Sequence, residues 1–135
     1  MIDESALQVR RAAAGLGLFT KVDIPKGKRV AEYVGKKLTW QEYLNSNSVY
    51  LFEVGARKTI DGSPRWNLAR YINHSCRPNC EVEITRGRVF IVSRRKIKAG
   101  EELNYDYGEE YFNDLIKPKG CRCEKCAPNR RKRAA

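Results

Sequence analysis

Long apolar runs are missing from this 135-residue sequence. No stretch approaches the ~20 consecutive apolar residues that a membrane helix needs, which excludes a helical span. Histidine is almost absent: there is one, so no site can use a second imidazole. The opening stretch MIDESALQVRR is mixed and charged and lacks the apolar core of a secretory signal. Five cysteines cannot all pair, so a pure disulfide framework would leave one over. A reducing compartment with metal-bound thiolates is the first reading of those five. What is present fits one domain with a real core and a charged surface: 15.5 kDa, 41% hydrophobic and 32% charged residues.

The charge is lopsided. The chain carries 27 basic and 16 acidic residues, a net +11. Residues 117–135 hold eight Lys/Arg against one Glu, whereas residues 1–116 hold nineteen against fifteen. The excess is therefore assigned mainly to the C-terminal end, where Arg130–Arg133 form a basic block in a tail expected to be disordered.

The pattern along the chain predicts many short strands and few helices, a mainly β architecture of several small sheets. Gly15 and Gly17, set among apolar residues, suggest a tight loop leading into a strand over Thr20–Ile24. Arg29–Gly35, Val49–Val54 and Lys58–Asp61 also read as strands. Thr39 with Glu42 three residues on predicts a capping box and a short helix over 40–46. A second short helix is expected within Trp66–Ile72, and Trp40 and Trp66 are assigned to packing. Glu81–Thr85 and Arg88–Ser93, joined at Arg86–Gly87, make the clearest hairpin. Residues 97–108 read as a turn and a short strand.

Three stretches concentrate chemistry. Arg70-Tyr-Ile-Asn-His-Ser-Cys-Arg-Pro-Asn-Cys80 places the sole His beside Asn, Ser and two Cys. Gly100-Glu-Glu-Leu-Asn-Tyr-Asp-Tyr-Gly108 follows, then Cys121-Arg-Cys-Glu-Lys-Cys126. Together with Gly15-Leu-Gly17 and Glu32-Tyr-Val-Gly35, these resemble the SET domain of protein-lysine methyltransferases, trithorax-type histone enzymes above all, followed by the cysteine-rich post-SET segment. The resemblance implies a SET fold of small sheets and short helices, with a pseudoknot-like C-terminal threading. It divides the chain into a lead (1–8), the SET domain (9–112), a post-SET zinc segment (113–127) and a basic tail (128–135). Residues 1–8 contain no cysteine, so the pre-SET region of some relatives has no counterpart there, and the variable insert between Gly35 and Tyr50 is short.

The implied reaction is methyl transfer from S-adenosylmethionine to a lysine Nε, on a histone or another basic protein tail. Cofactor contacts would come from Ala14, Gly15, Leu16 and Gly17, and from Tyr50, Asn73, His74 and Arg122. Tyr107 matches the catalytic tyrosine. Tyr105 stands where a tyrosine restricts the product mainly to monomethyl-lysine. One Zn²⁺ would be held by Cys76, Cys121, Cys123 and Cys126, four thiolates suited to tetrahedral geometry. The last two are separated by two residues where the family commonly has four, and Cys80 is left as the odd thiol. His74 is not expected to act as a general base. Asp106, Glu109, Glu110 and Asp114 form an acidic run suited to a basic peptide. The expected setting is intracellular and reducing: nucleus or chromatin in a eukaryote or a host, cytoplasm otherwise. An inactive SET-like zinc module that holds nucleic acid or chromatin through its basic tail is the alternative.

Overall fold

The computed structural model describes residues 1–108. Among these, ten short strands form four small sheets, with one short α-helix and two 3₁₀ turns. The expectation of a mainly β chain of small sheets holds. No helix among the described residues is long and apolar enough to cross a membrane.

β1 (Leu7–Ala12) and β2 (Gly15–Thr20) form the first hairpin, paired from Leu7–Thr20 to Ala12–Gly15. Ala13 and Ala14 close it, and the left-handed φ of +109° falls on Gly15, which has no Cβ to clash there. The strand thus starts at the glycines, and Thr20–Ile24, expected to be a strand, runs out of the sheet instead. The cause is local. The Thr20 hydroxyl donates to Val22 O at 2.7 Å and accepts from Val22 N at 3.2 Å, so the backbone turns before Ile24 meets Ile97 in an isolated bridge.

The second sheet orders β3 (Arg29–Tyr33), β9 (Arg88–Ser93) and β8 (Cys80–Thr85), all antiparallel. Its β8–β9 hairpin turns through Arg86 and Gly87, both with positive φ, a twist that matches the flanking strands. Val89 and Ile91 enter the core with Leu18, Ile24, Val30, Ile72, Ile97 and Leu103. Phe90 points the other way yet is only 5% exposed, because the guanidinium groups of Arg29 and Arg88 lie 4.0 and 4.9 Å from its ring centroid. Glu32 holds Arg88 by two bonds of 3.0 and 2.8 Å, and Glu83 holds Arg29.

The third sheet orders β4 (Lys36–Leu38), β6 (Lys58–Asp61) and β5 (Leu51–Gly55). Between β4 and β5, α1 (Trp40–Leu44) starts at the expected Thr39–Glu42 capping box but ends two residues earlier than predicted. It buries no side chain; Trp40 is 43% exposed and stacks on Tyr43 at 5.3 Å. Trp66 is 65% exposed. Neither tryptophan serves the packing role assigned to it, because neither lies on an element whose face meets the core. The short helix expected within Trp66–Ile72 is present as a 3₁₀ helix, Leu68–Tyr71, which leads into the chemistry-bearing motif. Asn67, fully buried ahead of it, accepts from Val34 N and donates to Gly62 O, at 3.2 and 3.0 Å. The last sheet is a two-residue parallel pair, β7 (Asn73–His74) with β10 (Asn104–Tyr105).

Arg88 holds the Glu32 carboxyl below its ordinary range, chiefly through their hydrogen bonds. The folded state therefore binds that proton more weakly than the unfolded chain, so the pair stabilises above pH ~4.5 and its contribution is lost as pH falls through the lowered value. Glu32→Gln should cost about 0.5–1 kcal/mol at pH 7. Urea denaturation of both proteins should find the difference shrinking as pH is lowered below about 4.5.

Candidate active site

The segment 101–107 brings the chemistry-bearing stretches together. On one side it joins β2: Thr20 N donates to Glu101 O (3.1 Å), Leu103 N donates to Leu18 O (2.8 Å), and Phe19 bridges Glu102. On the other it joins β7, with Asn104 opposite Asn73 and Tyr105 opposite His74; Ser75 N donates to Tyr105 O at 3.1 Å. Side chains lock the arrangement. Asn79, 2% exposed, receives Asn104 N on Oδ1 at 3.0 Å, donates from its own N to Asn104 Oδ1 at 2.8 Å, and donates from Nδ2 to Glu102 O at 2.8 Å.

Asn73 sits where β2 and segment 101–107 meet. Its Nδ2 donates to Leu16 O at 3.0 Å and to Glu102 Oε2 at 2.8 Å. With two acceptors on the nitrogen, the amide has one orientation, and Oδ1 is left as an acceptor. The Glu102 carboxylate occupies the space above Gly17, where any Cβ would collide with it. A Cβ at Gly17 would push the Glu102 carboxylate away from Asn73. Leu16 and Ala14 are exposed beside it.

His74 is a scaffold. Tyr107 N donates to its Nδ1 at 3.1 Å, which puts the ring proton on Nε2, 3.3 Å from Cys76 Sγ. Burial holds the imidazole below its usual pKa, opposed by Asp106, whose Oδ1 is 3.8 Å from Nδ1. Both ring nitrogens are engaged. Tyr107 packs edge-on against His74 (5.4 Å) and tilted against Tyr105 (4.9 Å), and its hydroxyl donates to Ile72 O. Tyr105 is only 6% exposed and belongs to the core cluster.

Gly17, Leu16, Asn73, His74, Cys76, Tyr105 and Tyr107 thus form one connected group. Tyr50 is held differently: its carbonyl accepts from Tyr33 Oη (2.6 Å) and Gly62 N (2.9 Å), and its ring carries the Arg70 guanidinium at 4.3 Å. Arg122, Cys121, Cys123 and Cys126 lie outside the described residues, as do Glu109, Glu110 and Asp114. Among the described residues no three His, Cys, Asp or Glu cluster as metal ligands. Cys76 nonetheless suits a thiolate ligand, since it is half-buried and an imidazole N–H is aimed at its sulfur. Cys80 does not: it is buried, and burial pushes its thiol up to about 12. Sequence reasoning missed Glu102 and Asn104 and gave Asn79 no role. Asn79 closes the Asn-His-Ser-Cys-Arg-Pro-Asn run and could have been found there; nothing local signals that Glu102 reaches Asn73.

Residues 15–108 match the family model described as the SET domain. The chain belongs to the SET-domain family. This SET domain is 37% identical to the Drosophila melanogaster histone-lysine N-methyltransferase trr over 135 aligned residues, covering 91% of this chain and 5% of that protein. It is 39% identical to the "Histone-lysine N-methyltransferase, H3 lysine-4 specific" of Emericella nidulans, covering 84% and 10%. It is 34% identical to human histone-lysine N-methyltransferase 2D, covering 84% and 2%. The chain thus spans a tenth or less of the length of these relatives.

Asn79→Ala removes two buried side-chain bonds and strands the Asn104 N–H. Each such loss costs about 1–3 kcal/mol. Urea denaturation should register a destabilisation of about 2–6 kcal/mol from that sum, and a change below 0.5 kcal/mol would contradict the role given to Asn79.

Proposed function

We propose that this SET domain is a protein-lysine N-methyltransferase that uses S-adenosylmethionine, acts on a histone or other basic protein tail, and adds mainly one methyl group. The observation that carries the proposal is the convergence of Tyr105 and Tyr107 on the Asn73–His74 pair and the Gly15–Gly17 strand. The names of the relatives supply the substrate class. A nuclear or chromatin setting follows from that class.

The cofactor would supply an electrophilic methyl on a sulfonium. Asn73 Oδ1 and exposed Leu16 fit such a ligand, as an oriented acceptor and an apolar contact beside the Gly15–Gly17 backbone. Ala14, Tyr50, His74 and Arg122 complete the proposed contacts. A free lysine amine has a pKa of about 10.4, so only about one in a thousand is neutral at pH 7.4. A lysine amine brought against Tyr105 and Tyr107 would be desolvated, which disfavours the ammonium. The Tyr107 proton is committed to Ile72 O, so its oxygen offers lone pairs rather than a proton to the reacting centre. Alignment of amine and methyl then does most of the work. Tyr105, buried at Tyr107's side, limits the space in which a methylated amine can turn.

The proposal includes one Zn²⁺ on Cys76, Cys121, Cys123 and Cys126, joining a post-SET segment at 113–127 to the site. Purified protein should contain about one zinc per chain, and Cys76→Ser should lower that figure.

Incubation with labelled cofactor and a histone H3 amino-terminal peptide, read by mass spectrometry, should give chiefly monomethyl-lysine. Tyr107→Phe should lower kcat by about 10²-fold or more while leaving cofactor binding by calorimetry nearly unchanged. Tyr105→Phe should shift the product to di- and trimethyl-lysine. Absence of cofactor binding by the zinc-replete protein would leave the inactive binding module instead.

A further inference from the structure

Two loops far apart in sequence are fastened edge to edge at the Thr20 end of β2. Ile24 and Ile97 exchange backbone bonds of 2.7 and 2.9 Å. Gly27 N donates to Ser93 O at 2.8 Å, and Lys28 N donates to Ser93 Oγ at 2.9 Å. Ser93 Oγ in turn donates to Pro25 O at 2.6 Å. Gly100 N donates to Thr20 O at 2.7 Å. The two segments, 21–28 and 94–101, present Lys21, Lys26, Lys28, Arg94, Arg95, Lys96 and Lys98, all exposed. Their carboxylates are only Asp23 and Glu101. Both are engaged within the loops: Asp23 accepts from Ala99 N at 2.9 Å, and Glu101 pairs with Arg95 at 3.3 Å.

This locates the charge of the fold. Residues 1–108 hold nineteen basic and twelve acidic residues, a net +7, and these two loops hold seven against two, a net +5. The remaining described residues are nearly neutral. The basic tail is therefore not the sole source of excess charge, because the mild balance over residues 1–116 averages this pole with acidic residues at 109–114. Among the described residues, no ion pair engages Lys26, Lys28, Lys96 or Lys98. The loop backbones are already fixed, so binding would order only the lysine side chains.

We infer that this two-loop platform, rather than the C-terminal tail alone, is a docking surface for the phosphate backbone of duplex DNA. Lys26, Lys28, Lys96 and Lys98, carried on two loops joined by backbone bonds and with both loop carboxylates engaged, are suited to neutralising phosphates without reading sequence. The platform begins at Lys21, four residues from Gly17 and just past the end of β2. The inference goes beyond the methyltransferase reading and does not need it, since DNA binding is measured without cofactor.

The test is fluorescence anisotropy of a labelled 20-base-pair duplex with the full chain, from 50 to 200 mM salt. The platform variant is Lys26→Gln, Lys28→Gln, Lys96→Gln and Lys98→Gln together. The tail variant is Arg130→Gln, Arg131→Gln, Lys132→Gln and Arg133→Gln together. Thermal unfolding confirms that each variant is folded. The platform variant should bind at least tenfold more weakly at 100 mM salt, and its log–log salt slope should be shallower by about 3–4, roughly one for each phosphate no longer neutralised. Wild-type affinity and slope in a folded platform variant would overturn the inference, as would weakened binding in the tail variant alone. Equal competition by a polyglutamate peptide at matched charge would also overturn it, since the face would then accept any polyanion.

Discussion

Everything at the site hangs on segment 101–107, a stretch of backbone shared between β2 and β7. It supplies acceptors and donors to both neighbours, and Asn79 clamps it at Asn104 and at the Glu102 carbonyl. Two strands of two residues each have no stability of their own. They persist because a buried amide replaces the ladder bonds that such short strands cannot make. From this one stretch Glu102 turns toward Asn73, Tyr105 toward the core, and Tyr107 toward His74 and Ile72.

Polar groups here are tools of precision. Asn73 is oriented by Leu16 and Glu102, His74 by Tyr107 N and Cys76, and Tyr107 by Ile72 O. Each group facing the site has a neighbour behind it that fixes its tautomer, rotamer or flip. A transfer reaction that depends on alignment rather than on a strong base is suited by that construction.

Local signals were legible where chemistry and periodicity coincide within a few residues. The β8–β9 hairpin carries both alternation and a turn pair that tolerates positive φ, and α1 carries its capping box; both stand where the sequence predicts them. Thr20–Ile24 alternates like a strand, but a side-chain hydroxyl competes for the backbone and wins. Trp40 and Trp66 look like core residues by type and are exposed, because type does not say which face an element presents. The motifs named Asn73, His74, Cys76, Tyr105 and Tyr107, which the fold does gather. The pairing of 104 with 73 has no periodic signature, and Glu102's reach to Asn73 spans 29 residues. Only topology reveals such contacts.

The Leu18–Leu103 and Phe19–Glu102 pairings join residues more than eighty positions apart. Closing so long a loop carries an entropic cost before any of its contacts form. The hairpins β1–β2 and β8–β9 close over a few residues, whereas the group around Asn73 and Tyr107 depends on the late segment meeting a strand from the start of the chain. On a ribosome, the domain would carry most of its sheets before it owned a site. The candidate site therefore rests on contacts of longer sequence span than either hairpin, and its geometry reports on whether the two ends of the described chain have met.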